Sequence, residues 1–191
     1  SVKRGATTVL EPSALGIRTA DADLTDGLKF VGLDTRQVHD EYTTTTGRRL
    51  KHEYTGSENT FHLQRKASRL DLVVRVSDDG VAYRYVLPEQ PWATVLGEAS
   101  EFAVPTGAAN FLLPYDNGRS DYESAHVRTP EKGVEYGYPS LFNVKDTWLL
   151  IGESDVDGRY GGSRITYDGV KYRLTLPDPL GGSQSGNDSS D

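Results

Sequence analysis

The sequence predicts an all-β protein, a large antiparallel β-sandwich with no significant helix. Three observations point there. Apolar side chains recur with period two in nearly every segment, the spacing that places them on one face of a strand. No window of about eleven residues or more sustains the 3.6-residue repeat of an amphipathic helix. Turn formers, among them 20 glycines and 9 prolines, separate the apolar segments at short intervals, as in sandwiches and barrels.

The elements follow in order. Early strands are expected over residues 28–33, 38–46, 49–54 and 59–66, with Gly47 and Gly56 marking turns. The clearest element comes next. Leu70, Leu72, Val74 and Val76 alternate with Asp71, Val73 and Arg75. Ser77-Asp78-Asp79-Gly80 then supplies a short loop whose glycine tolerates positive φ. Val81, Tyr83, Tyr85 and Leu87 line one face of the return strand, which Pro88 ends. Later strands are expected over 101–104, 110–113, 147–153, 164–167 and 170–176, the last two joined by an Asp168-Gly169 turn. No repeat of fixed period is present.

Composition narrows the function. A chain of 191 residues with 36% hydrophobic side chains is long enough for one large domain with a proper core, here residues 1–180. No apolar run approaches the roughly 20 residues of a membrane helix. The net charge of −7 repels phosphate backbones and argues against nucleic acid as the partner. Without cysteine there is no disulfide and no thiolate metal site. Residues 181–191 hold no apolar side chain and read as a flexible Gly/Ser-rich tail; the Asn187-Asp188-Ser189 sequon inside it reads as coincidence. Methionine is absent, so Ser1 is not read as a translation start, and the chain is expected to be a piece of a longer protein whose signal peptide lies outside it.

Catalytic signatures fail. The four histidines, His39, His52, His62 and His126, have no helical metal-site spacing, and the first three read as solvent-face residues of strands. There is no nucleophile elbow and no nucleotide-binding glycine pattern. Asp21, Asp23 and Asp26 with Gly27 miss the EF-hand spacing and read as an acidic turn. Glu153, with Asp155, Asp157 and Gly158, follows the apolar strand Trp148-Leu149-Leu150-Ile151, so its side chain stands at a strand end; the residues alone favour a loop there over a site. Tyr115 and Tyr122 flank a long polar loop containing Asn117, the usual character of a functional loop, and exposed rings of this kind can stack on sugars.

Several segments together resemble a family. Val9-Leu10-Glu11-Pro12-Ser13-Ala14-Leu15-Gly16-Ile17, the hairpin from Asp71 to Pro88, Pro114-Tyr115-Asp116-Asn117, Asp121-Tyr122-Glu123, and Leu149-Leu150-Ile151-Gly152-Glu153-Ser154-Asp155 match, in order, the amino-terminal domain of glycoside hydrolase family 97. The match runs from about Val9 to Leu180. The resemblance implies a super-sandwich like that of galactose-mutarotase-like domains, packed on a (β/α)8 barrel. It implies an α-glucosidase or α-galactosidase that depends on calcium, a hard cation suited to oxygen ligands and carboxylate chemistry. The catalytic carboxyl groups would belong to the barrel, so this chain alone would have no hydrolytic activity.

By position in the motif, Glu153 is then expected to ligate calcium, with Asn117 as a second candidate ligand. Tyr115, Asn117 and Tyr122 are candidate sugar contacts. One carboxylate holds calcium poorly, so the isolated domain is expected to bind it weakly or not at all. The implied location is secreted or periplasmic. Compared with the family, the chain starts inside a strand and passes straight into its tail, so the sandwich is expected to be incomplete at both ends. Two other readings stand beside this one: a free-standing carbohydrate-binding sandwich using the loop from Tyr115 to Tyr122, and a purely structural domain.

Overall fold

In the computed structural model, residues 1–90, 92–115, 124–154, 156 and 162–177 are described; the expected tail, residues 181–191, lies outside them. Among the described residues there is no helix, and hence none long and apolar enough to cross a membrane. The strands are β1 (Val2–Arg4), β2 (Thr7–Leu10), β3 (Ile17–Thr19), β4 (Asp23–Leu24), β5 (Lys29–Thr43), β6 (Lys51–Arg65), β7 (Ser68–Val76) and β8 (Val81–Val86). They continue with β9 (Val95–Glu98), β10 (Glu101–Phe102), β11 (Ala109–Pro114), β12 (Glu135–Val144), β13 (Thr147–Ile151), β14 (Arg164–Tyr167) and β15 (Tyr172–Thr175). The pairs β1–β2, β3–β4, β5–β6, β6–β7, β7–β8, β10–β15, β11–β12, β12–β13, β12–β14 and β14–β15 are all antiparallel. The all-β class expected from the sequence is the class observed. The chain divides into two compact units, one of Gly16–Leu96 and one of Ser1–Leu15 with Gly97–Asp191.

In the first of these, β5-β6-β7-β8 form a four-stranded meander, and β4-β3-β9 a smaller sheet. The hairpin expected at residues 70–87 is β7 and β8, in register from Asp71↔Val86 to Val76↔Val81. Its apolar face is buried at one end only. Leu70 packs with Ile17 and Leu24 in the core, beside Leu63, Tyr85 and Leu87. Val76 and Val81, near the turn, are exposed. The Tyr85 hydroxyl accepts a hydrogen bond from the Gly16 amide at 2.7 Å.

The early strands depart from expectation. The four segments 28–33, 38–46, 49–54 and 59–66 are two strands of 15 residues each, β5 and β6. Gly47 does lie in the connection, with φ of +115°, but Gly56 is no turn. It sits within β6 opposite Val38, where an added Cβ would stand 2.5 Å from the Val76 carbonyl oxygen and 2.6 Å from the Tyr54 hydroxyl. Close approach of backbone and ring, rather than a reversal, requires glycine there.

The other unit holds the β1–β2 hairpin and a six-stranded sheet, ordered β10-β15-β14-β12-β11 with β13 also paired to β12. Its core is Leu112, Tyr136, Phe142, Ile151, Ile165 and Tyr172. The expected strand 164–167 is β14, while 147–153 shortens to β13 and 170–176 to β15. The central strand β12 was not expected, because Gly137 and Pro139 interrupt its pattern. Pro139 is tolerated because the register with β11 slips there, passing from Phe111↔Leu141 to Leu113↔Gly137. No ladder bond is asked of it, and proline within sheets belongs at such irregularities.

Candidate functional site

The strand β12 shares one of its edges between two neighbours. Its carboxyl half pairs with β13, from Ser140↔Ile151 to Val144↔Thr147. Its amino half pairs with β14, at Glu135↔Thr166 and Tyr136↔Ile165. The end of β13 and the start of β14 therefore meet along the same stretch of β12, and Glu153 and Ser163 stand in the gap.

Glu153 is exposed and fixed. Its Oε2 accepts a hydrogen bond from the Ser163 amide at 2.7 Å, and its Oε1 accepts one from the Ser163 hydroxyl at 3.0 Å. Gly162 precedes this contact; a Cβ there would lie 3.7 Å from Oε2. Both oxygens thus have a partner on one serine, which holds the carboxylate plane while leaving its outer lone pairs to solvent.

A second carboxyl group lies beside it. Glu98, at the end of β9, accepts a hydrogen bond from the Ser100 hydroxyl. Burial pushes its carboxyl above the usual carboxylate range; the Ser100 bond partly offsets this, and the charge on Glu153 raises it further. The donors are all oxygens, so the set fits a hard cation such as calcium and not a thiolate- or imidazole-preferring one. Glu98 carried no sequence signal, because nothing local connects it to a residue more than fifty positions away.

Tyr115 follows β11 and is placed by its amide, which donates to the Glu135 carbonyl at 2.8 Å. The Arg164 guanidinium lies 4.6 Å from its ring centroid, a cation–π distance. Arg164 is held in turn by Glu135, Nε to Oε2 at 2.5 Å. The ring borders Gly137 and is 44% exposed. A rigid half-exposed ring on the stretch of β12 that also borders the Glu153 gap can serve as a platform for a sugar face. Asn117 and Tyr122, the other candidates, lie outside the described residues. The His62 ring, read as a solvent-face side chain, bridges two carboxylates instead, Nδ1 to Asp71 at 2.7 Å and Nε2 to Asp34 at 3.0 Å.

The model of the glycosyl-hydrolase 97 N-terminal family matches residues 1–187. A probable retaining alpha-galactosidase of Streptomyces bingchenggensis (strain BCW-1) is 42% identical over 180 residues, which cover 93% of this chain and 28% of that protein. A crystal structure of a beta-arabinopyranosidase superposes with a TM-score of 0.81 at 31% identity, covering 90% of this chain and 30% of the other. A glycoside hydrolase family 97 enzyme from Pseudoalteromonas sp. strain K8, solved in complex with panose, gives a TM-score of 0.78 at 21% identity, again over 90% of this chain and 27% of that one; at that identity it speaks for the fold. The chain thus spans less than a third of the length of these relatives. It belongs to glycoside hydrolase family 97, as that family's N-terminal domain.

Proposed function

We propose that the chain is the non-catalytic N-terminal module of a calcium-dependent α-glycosidase, packing on the (β/α)8 barrel of the same parent protein. Glu153 is its contribution to the sugar site, as a calcium ligand. The observation that carries this reading is the carboxylate clamp: Glu153 stands exposed at a strand end with both oxygens fixed by Ser163, beside the desolvated Glu98. A surface glutamate normally samples many rotamers, and ordering one costs side-chain entropy. Two bonds that order it while it remains accessible make a prepared ligand.

The chain's own residues have distinct parts. Ser163 orients Glu153, and Tyr115, braced by Arg164, walls the sugar. A bound calcium would supply positive charge near the scissile bond and orient substrate oxygens. The remaining ligands needed to reach its usual six to eight, roughly, would come from water and the rest of the parent chain. The general acid and the base or nucleophile belong to that remainder as well.

The sugar is read as a galactoside. Two relatives above 30% identity are, by their names, a probable retaining alpha-galactosidase and a beta-arabinopyranosidase. A β-L-arabinopyranose ring has the hydroxyl arrangement of an α-D-galactopyranose without the exocyclic CH2OH, so a shared pocket is chemically coherent. The test is Glu153→Gln in the full-length protein, assayed on an aryl α-galactoside across a calcium titration. The expected result is at least a tenfold rise, approximately, in the calcium needed for half-maximal rate, in line with loss of one ligand. An unchanged calcium requirement would remove Glu153 from the site.

A further inference from the structure

The hairpin of β5 and β6 outruns the sheet it belongs to. β7 pairs with β6 only from Ser57↔Val76 to Arg65↔Ser68, whereas β6 pairs with β5 as far as Thr43↔Lys51. Among the described residues the stretch from Val38↔Gly56 to Thr43↔Lys51 is therefore a two-stranded arm with no third strand. Such ribbons are marginal in water and depend on their cross-strand pairs. One face of the arm has a good pair: the Tyr42 and His52 rings stack at 4.8 Å with their planes 8° apart.

The other face has an unfavourable one. Glu41 and Glu53 are directly opposite, and like charges in that position push strands apart. His39 lies on the same face, two residues before Glu41. Its Nε2 is 3.6 Å from Glu41 Oε1, and its Nδ1 is 4.0 Å from Glu53 Oε1. One ligand atom from each of the three residues falls within 4.8 Å of the others. Lys51 Nζ, on an exposed side chain, lies 3.6 Å from Glu41 Oε2. The Thr55 hydroxyl, opposite His39, is 3.0 Å from Nδ1. With Nδ1–H donating to that hydroxyl, the lone pair of Nε2 faces Glu41, the arrangement by which an outer partner orients a metal-binding imidazole.

We propose that His39, Glu41 and Glu53 form a surface site for a divalent transition metal of the zinc class. One imidazole and two carboxylates leave a fourth position for water. Ligand atoms around a tetrahedral zinc stand about 3.4 Å apart, given bonds of about 2.1 Å, so the exposed side chains close by rotamer adjustment alone. The two negative charges neutralise the ion, and the ion converts the repulsive pair into a cross-strand staple. This site is chemically separate from the all-oxygen corner at Glu153.

The test is calorimetric titration of the untagged 191-residue chain with zinc chloride, alongside His39→Ala and His126→Ala. The expected result is saturable binding to the native chain, weakened at least about tenfold by His39→Ala and retained by His126→Ala, whose exposed side chain lies outside the arm. Zinc should also slow amide exchange along the arm from Val38 to Gly56 in the native chain. Absence of saturable binding, equal binding by His39→Ala, loss of binding in His126→Ala, or an arm whose exchange zinc leaves unchanged would each overturn the assignment.

Discussion

Replacing Glu58 by glutamine removes one charge at constant volume from the middle of the four-stranded sheet. Glu58 pairs directly with Arg36 on β5 and with Arg75 on β7. Its Oε1 accepts from Arg36 Nε at 2.7 Å and its Oε2 from Arg75 Nε at 2.6 Å. Its side chain is 8% exposed, against 65% and 38% for the two arginines. A hydrogen bond to a charged group contributes about 1.5–3 kcal/mol. The arginines recover water when the carboxylate goes, so the lower end applies, and two bonds give about 2–3 kcal/mol. The acid–base balance agrees in size. The Arg36 and Arg75 bonds hold the Glu58 carboxyl down to about 2, from an ordinary 4.5. At about 1.4 kcal/mol per pH unit that sets a ceiling of about 3.5 kcal/mol before screening by solvent.

The sign of the pH dependence follows from the lowered value. A carboxyl whose folded value lies below its unfolded one adds stability that is complete above about 4.5 and fades as the pH falls toward about 2. Urea unfolding of the native chain and of Glu58→Gln, at pH 7 and pH 3, reads this directly. The difference between the two proteins is expected to be about 2–3 kcal/mol at pH 7 and about half that or less at pH 3. A difference under about 0.5 kcal/mol at pH 7, or one that does not shrink on acidification, would refute the account of the carboxylate as a bridge between strands.

Two further outcomes test the packing within each unit. Gly56→Ala is expected to destabilise the chain by about 1–3 kcal/mol, because the new methyl group meets a backbone carbonyl that cannot rotate away; a neutral result in urea unfolding would mean that β6 and β7 approach less closely. Phe142→Ala, on β12 in the buried core of its unit, should cost about 3–5 kcal/mol, read as a fall in the urea midpoint, and a loss below about 1 kcal/mol would place that ring outside a packed core.

Period two is a local property, and what it governs was legible in the sequence. The β7–β8 hairpin, the strand 164–167 and the all-β class came from alternation and turn residues a few positions apart. The fusion of four short segments into β5 and β6 did not, because Gly56 has the composition of a turn and becomes a strand residue only when Val76 and Tyr54 crowd it. Strand β12 was hidden for the same reason: proline breaks the pattern, and only the irregular register of β11 makes that break harmless.

The site divides along the same line. Glu153 was singled out only through its place in a family motif; the residues around it, an acidic run after Trp148-Leu149-Leu150-Ile151, favoured a loop. Its partner Ser163, the neighbouring Glu98, the bracing of Tyr115 by Arg164, and the meeting of His39, Glu41 and Glu53 all depend on which strands pair and in what register. Register is set by burial across the whole sheet, not by neighbours in the chain. The sequence by itself determined that these residues, Glu98 excepted, lie in or beside strands; which side chains face one another was decided only when distant strands came together.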